Sequence, residues 1–256
     1  MLLTIDIGNT TTKFGVFEDE DLIKRQTVPT IRGKTADEIF ETVKDEMNYR
    51  FRDVIVSSVV PELNESFRIL AENHFNSAVS FVDHDFDFGF KINYQPPENL
   101  GIDRLIAAYG AVQKYVKPCI ICDFGTATTI DAVNSGNEYL GGIITAGMNL
   151  LADALHQRAS KLPKIELRKP EKVIGTSTIA AIQSGIYFGY VGLVDGIIGR
   201  IMDEMGEKPT VIATGGLVKL IAESSKMLGI VDENLMLDGL RMIHNTRSEK
   251  PIKNFH

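Results

Sequence analysis

Cysteine is scarce in this chain: two residues among 256, Cys119 and Cys122. Their C-x-x-C spacing invites a redox or zinc reading. On a strand, however, residues three apart point to opposite faces, and a lone pair lacks the other two ligands of a structural zinc site; they read as inert core cysteines. Basic charge is also short, with 27 Lys+Arg against 34 Asp+Glu, a formal charge of −7 and a sequence pI near 5.3. No basic field is available for nucleic acid, so any bound anion must be held by local donors or metals. No signal-peptide pattern precedes the first strand, which gives an expectation of cytoplasmic location. The most membrane-like stretch, Ile186–Met202, is broken by Asp195 and Arg200 and reads as a buried helix, so no membrane partner is expected. The G-x-x-x-x-G-K-[ST] and G-x-G-x-x-G signatures are absent, which excludes ordinary P-loop and Rossmann readings. Asp83, Asp85 and Asp87 alternate but lack EF-hand spacing and read as a solvated strand edge.

What is present is a duplication. Leu2–Thr12 reads LLTIDIGNTTT and Pro118–Thr129 reads PCIICDFGTATT, aligning Asp6 with Asp123 and Gly8 with Gly125. Apolar β-branched runs bounded by glycine read as buried strands, each delivering a carboxylate to its C-terminal end. A glycine there lets backbone N–H groups approach an anion, and Thr10, Thr11, Thr12, Thr126, Thr128 and Thr129 add hydroxyls. A carboxylate beside such a loop repels bare phosphate but can hold the cation that travels with a nucleotide. Asp6 and Asp123 are therefore cation candidates, and the repeat points to a nucleotide site between two related halves.

Along the chain, Lys13–Phe17 and Leu22–Val28 continue the first strand as an antiparallel meander. Thr35–Asn48 reads as an amphipathic helix capped by Thr35, Asp53–Ser58 as a strand, Pro61–Asn73 as a helix, and Ser80–Asp83 and Phe90–Tyr94 as strands. Ile102–Val116 forms a helix that leads into the second half, where strands at Thr129–Val133, Glu138–Ile144 and Thr210–Thr214 repeat the order. The fold class is α/β, divided at 1–116 and 117–256. Thr214-Gly215-Gly216 is a weak second place for close backbone approach. Gly185, Gly189, Gly192, Gly196 and Gly199 make one helical stripe. Each costs about 0.8–1 kcal/mol of helix stability, so another backbone, in this subunit or in a second copy, should pack there. The segment Arg247–His256 is polar and expected to fray.

Tyr94–Arg104 is a rigid loop ending at a helix start, where Asp103 and Arg104 sit in the partial positive charge of a helix N-terminus. An aspartate there is a common cap; it could also take a proton from an acceptor hydroxyl while Arg104 holds an anion.

Together these segments resemble the bacterial type III pantothenate kinases of the acetate/sugar kinase, Hsp70 and actin superfamily. The resemblance is carried by D-x-G-N-T at Asp6–Thr10, G-x-D-R at Gly101–Arg104, D-x-G-T-A-x-T-x-D at Asp123–Asp131, G-G-x-I at Gly141–Ile144, and GTSTIAAIQSG at Gly175–Gly185. One departure is Ala146 before Gly147, where the family commonly has proline. The resemblance implies two ribonuclease-H-like (actin-like ATPase) domains and transfer of the ATP γ-phosphoryl to pantothenate at the first step of coenzyme A synthesis. It implies Asp6, Ile7, Gly8, Asn9, Thr10, Thr11, Thr12 and Lys13, with Thr126, as the ATP-phosphate residues. Asp103 would be the base, and Tyr94, Gly101, Ile102, Asp103, Arg104 and Thr178 the pantothenate contacts. Asp123 would hold a monovalent cation (K⁺ or NH₄⁺), Mg²⁺ would accompany ATP near Asp6, and the protein would be a homodimer. Rival readings are another phosphotransferase of the superfamily and a nucleotide-binding regulator or scaffold. Members resembling this family have been named transcriptional accessory factors, but the charge and the missing DNA-binding motif argue against direct DNA contact.

Overall fold

A computed structural model describes residues 1–249. The chain divides into two compact units that do not follow a single cut: one contains Met1–Phe88, Glu98–Gly110 and the segment from Asn234, the other Gly89–Pro97 and Ala111–Glu233.

In the first unit, β1 (Leu2–Ile7), β2 (Thr11–Glu18), β3 (Asp21–Pro29), β4 (Asp53–Ser58) and β5 (Ala78–Phe81) form a sheet of order β3-β2-β1-β4-β5. The first three make the antiparallel meander and the last two join in parallel. Period-two alternation sends Leu3, Ile5, Ile7, Phe14, Val16, Val54 and Val56 into one core with Ile39 and Val43 of α1 (Ala36–Val43) and Phe67 of α2 (Asn64–Ile69). Each such fully buried side chain contributes about 1.5–3 kcal/mol. Thr35 caps α1 as expected: its hydroxyl accepts from Glu38 N, and the Glu38 carboxylate accepts from Thr35 N at 2.9 Å, which lowers the Glu38 pKa.

The opposite face of this sheet carries Thr4 and Asp6 of β1, Lys13 and Gly15 of β2, and Ser57 of β4. α7 (Leu235–Glu249) packs on this face, and Gly15 makes room for it: a Cβ there would lie 3.0 Å from Leu237 Cδ1. α3 (Ile102–Lys114) meets α7 at a glycine pair, since a Cβ on Gly239 would lie 2.8 Å from the Ile106 carbonyl and one on Gly110 3.0 Å from that of Leu235.

The helix expected over Thr35–Asn48 ends at Val43, the strand expected at Ser80–Asp83 lies at Ala78–Phe81, and the one expected at Phe90–Tyr94 shrinks to Lys91–Ile92. Three further details differ from the sequence reading. The helix expected over Pro61–Asn73 is divided into a 3₁₀ turn at Pro61–Leu63, α2, and a π turn at Leu70–His74, whose wider winding lets Leu70, Ala71 and Phe75 all be buried. Asp83, Asp85 and Asp87 lie in an exposed turn after β5 rather than on a strand edge. Arg247 does not fray: it sits in α7, donating to the Phe81 carbonyl at 3.2 Å with its guanidinium 5.4 Å from the Phe86 ring centre. The remainder of the segment expected to fray, 250–256, lies outside the described residues.

The second unit repeats the plan. β6 (Lys91–Ile92), β7 (Cys119–Phe124), β8 (Ala127–Val133), β9 (Glu138–Ala146), β10 (Thr210–Thr214) and β11 (Ile230–Val231) form a sheet of order β11-β10-β7-β8-β9-β6. β7, β8 and β9 are the meander, with β10 parallel beside β7 as β4 is beside β1. One face packs Ile120, Cys122, Phe124 and Ile130 against Ile186, Tyr187, Tyr190, Val194 and Ile198 of α5 (Thr178–Met205), with α4 (Met148–Arg158) and α6 (Val218–Ala222) alongside. Both cysteines are free and fully buried, and burial raises the Cys119 thiol to about 11 and moves that of Cys122 upward as well. They are unreactive core residues.

α5 is buried on one face only. Its length and hydropathy match those of a membrane span, yet its buried residues pack on the sheet. The glycine stripe lies on the other face: a Cβ on Gly185, Gly189, Gly192 or Gly199 would meet nothing within 4 Å, and one on Gly196 only the Arg200 side chain. No backbone within the described residues of this chain packs on the stripe, which corrects the intrasubunit alternative.

Candidate active site

β1 carries Asp6 to the penultimate position of the strand, and the turn that follows is closed by Gly8 N donating to the Thr11 carbonyl at 3.1 Å. A Cβ on Gly8 would lie 3.0 Å from that same oxygen, so the tight return to β2 favours glycine. Asn9, Thr10 and Thr11 are exposed at the tip. Ile7 is fully buried in the core and offers the turn only its main chain. Thr12 is buried too, with its hydroxyl 2.8 Å from that of Thr30. Asp6 is nearly buried and pairs with Lys13 Nζ at 3.4 Å. On its other side the β1/β4 register sets Ser57 against Asp6. Ser57 is fully buried, and its hydroxyl has no hydrogen-bond partner.

The second turn, in the other unit, is built more tightly. Asp123 pairs with Thr214 in the β7/β10 register, so the Gly215 turn falls directly on the aspartate. Gly215 has φ +99°, and a Cβ there would lie 2.5 Å from both Asp123 Oδ1 and Phe124 N. Gly147 donates its N–H to the Thr126 carbonyl at 3.0 Å, and a Cβ on it would lie 2.5 Å from the Gly125 and Thr126 carbonyls. Thr126 is exposed, whereas Thr128 is buried and hydrogen-bonded to the Tyr190 hydroxyl. Asp131 is buried and accepts from Tyr139 Oη at 2.6 Å, which gives the last aspartate of the motif a structural partner.

The G-x-D-R sequence has a local physical reason. A Cβ on Gly101 would lie 2.4 Å from Asp103 Oδ1, so the carboxylate folds back over the glycine. The same oxygen accepts from Arg104 N at 2.9 Å in the first turn of α3. Ile102 and Arg104 are buried beside it. In the second unit Tyr94 is half-buried, with its ring 3.9 Å from the Cβ position of Gly141, itself at φ +105°. Thr178 is the exposed first residue of α5, whose cap is Ser177 accepting from Ala180 N at 3.2 Å.

The structure thus groups Asp6 with Lys13 and the Gly8–Thr11 turn, Gly101 with Asp103 and Arg104, Asp123 with Thr126 through the loop at its strand end, and Tyr94 with Gly141. One participant went unweighted in the sequence: Ser57, a polar residue just before the end of a strand otherwise apolar at its centre. Gly215 gave only a weak signal, as half of a glycine pair after a strand. Among the described residues no group of three or more His, Cys, Asp and Glu is arranged to hold a metal. Asp6, Ser57 and the tip threonines offer oxygen donors, a set that fits a hard divalent cation arriving on phosphates with most of its water.

The family model for type III pantothenate kinase matches residues 2–200. A type III pantothenate kinase of Koribacter versatilis is 41% identical over 272 residues, covering 100% of this chain and 99% of the relative. Another, from Halalkalibacterium halodurans, is 41% identical over 250 residues, covering 95% of this chain and 98% of the relative. Among solved structures, a Baf-family protein of Campylobacter jejuni superposes with a TM-score of 0.64 at 21% identity, covering 97% of this chain and 100% of that one. The fold is therefore the α/β architecture of the actin-like ATPases and sugar kinases, with two mixed sheets each flanked by helices. Spanned by the family model over most of its length and matched end to end by such relatives, the chain belongs to the type III pantothenate kinase family.

Proposed function

We propose that the family's reaction, ATP-dependent phosphorylation of pantothenate to 4′-phosphopantothenate at the first step of coenzyme A synthesis, proceeds here with Asp103 as general base. The observation that carries the assignment is the carboxylate held over Gly101 at the start of α3. There it can take the proton of the acceptor's primary hydroxyl as the γ-phosphoryl group arrives, while the buried Arg104 positions the anionic acceptor together with Tyr94, Gly101, Ile102 and Thr178. Phosphoryl transfer asks mainly for positioning and neutralised charge. In this reading Gly8, Asn9, Thr10, Thr11 and Lys13, the main chain of Ile7 and Thr12, and Thr126 contact the ATP phosphates. Asp6 faces the divalent cation, Mg²⁺, and Asp123 a monovalent cation, K⁺ or NH₄⁺. The divalent ion supplies charge neutralisation on the phosphates. Lys13 then exchanges its Asp6 partner for a phosphate oxygen.

The protein acts as a cytoplasmic homodimer without nucleic acid or membrane partners. The charge of −7 supports the exclusion of nucleic acid. The uncovered glycine stripe and the apolar groove beside it, between Leu151 and Leu155 of α4 and Ile182 and Leu193 of α5, support the dimer. Light scattering at micromolar protein is expected to give twice the chain mass; a monomer at all concentrations would remove that assignment.

The reaction is tested by ADP release from ATP, Mg²⁺ and K⁺ with and without pantothenate, with the product identified by mass. Release that depends strongly on pantothenate, and that falls when Na⁺ replaces K⁺, is expected. Slow hydrolysis indifferent to pantothenate would favour a regulator or scaffold, and indifference to the cation would remove Asp123 from its role.

A further inference from the structure

Among the described residues, buried side-chain hydroxyls nearly all have work. On the face of the first sheet that carries Asp6, Thr4 donates to the Gly15 carbonyl at 3.3 Å. Ser58, next to Ser57, accepts from Val60 N at 3.1 Å, and Ser77 donates to the Phe51 carbonyl at 2.9 Å. Ser57 is the exception, fully buried on β4 with an Oγ that no protein group satisfies. Leaving a hydroxyl in that state costs folding free energy, so its retention needs a cause outside the protein's own hydrogen bonds.

Its position supplies the cause. Asp6 stands between Lys13 on β2 and Ser57 on β4, all three in register and on one face. Lys13 Nζ holds one side of the Asp6 carboxylate. Ser57 holds none of it, although neighbouring strands lie only about 4.8 Å apart. The two residues are lateral neighbours on one face, and a turn of the short Ser57 side chain about χ1 would set its hydroxyl beside a water held on the Asp6 carboxylate. Mg²⁺ gives up its water reluctantly and meets proteins largely through its hydration shell.

We propose that Ser57 Oγ and the Asp6 carboxylate together hold one water of the shell of the divalent cation delivered with the nucleotide, which makes Ser57 a positioning residue for that cation. The inference rests on the reading of Asp6 given above. It assigns to the penultimate residue of β4 a role that its side chain cannot fill in the protein alone.

The test is calorimetric titration of ADP, with and without Mg²⁺, into wild type, Ser57→Ala and Asp6→Asn, alongside thermal unfolding of each nucleotide-free protein. Ser57→Ala is expected to bind metal-free ADP as wild type does and to lose about 10-fold of the gain in affinity that Mg²⁺ confers, as removal of an outer-shell group does. Its unfolding temperature without nucleotide should be unchanged or higher, because the lost hydroxyl served no bond. Asp6→Asn should lose the Mg²⁺-dependent gain. If Asp6→Asn loses it and Ser57→Ala keeps it, the Ser57 assignment alone falls. If Asp6→Asn keeps it, the reading of Asp6 falls and takes Ser57 with it. A nucleotide-free Ser57→Ala protein clearly less stable than wild type would also overturn the proposal, because the hydroxyl would then be serving the fold.

Discussion

Asp103→Asn is expected to bind ATP as the wild type does and to turn over about 10²–10⁴-fold more slowly, the range for loss of a positioned base. That corresponds to roughly 3–5 kcal/mol of transition-state stabilisation. The substitution is informative because it removes little else. Asparagine keeps an oxygen that can accept from Arg104 N and fits the space above Gly101, so the start of α3 should stay in place. An aspartate in the first turn of a helix ordinarily does no more than cap and stabilise its N-terminus, here by accepting from Arg104 N. A cap role predicts a small loss of stability and near-normal turnover; a base predicts the reverse. Single-turnover phosphorylation of pantothenate, measured with ATP binding and thermal unfolding on the same sample, separates the two.

Gly215→Ala should be the most damaging of the single-methyl changes considered. At φ +99° the backbone alone adds about 1–3 kcal/mol for a residue with a side chain. The new carbon would also lie 2.5 Å from Asp123 Oδ1 and from Phe124 N. One of those atoms belongs to a backbone fixed in the β7/β8 ladder, where Phe124 pairs with Thr128, so the displacement falls on the Asp123 carboxylate. Turnover is expected to fall by about 10²-fold, as for an angstrom of misplacement, and with it the response to K⁺. Gly216→Ala is the control: a Cβ there meets nothing within 4 Å, and activity should be retained. Equal behaviour of the two variants would show that Asp123 does not depend on the close turn at its side.

The parts legible in the sequence were those with strong local causes. β4 and β10 begin and end where their apolar runs predict, at Asp53–Ser58 and Thr210–Thr214. Thr35 announces α1 as its cap, and in the structure Glu38 completes a capping box that needs only four residues. The paired Asp-x-Gly turns show the repeated meander, since strand, turn and strand are contiguous. What the chain could not show locally was set by distant partners. The π turn at Leu70–His74 answers to burial on three sides, not to propensity. Gly215 looks like half of a routine glycine pair until β10 is laid beside β7, and Ser57 looks like a strand end until β4 is laid beside β1. The residues of the proposed acceptor loop were found by their motif, while the reason Gly101 must be glycine required knowing where the Asp103 carboxylate folds.

α7 belongs to the unit that begins with β1, although more than two hundred residues separate them in the chain. Until the ribosome has made Leu235 onward, the first sheet lacks the helix that packs on β1, β2 and β4, and the Gly110–Gly239 crossing cannot form. The second unit draws on no segment after Glu233 and can assemble while synthesis continues. The sheet translated first is therefore the one whose packing helix α7 is translated last among the described elements. A stop codon ahead of Leu235 would spare the later-encoded sheet and strand the first-made one, exposing it to proteases and to aggregation.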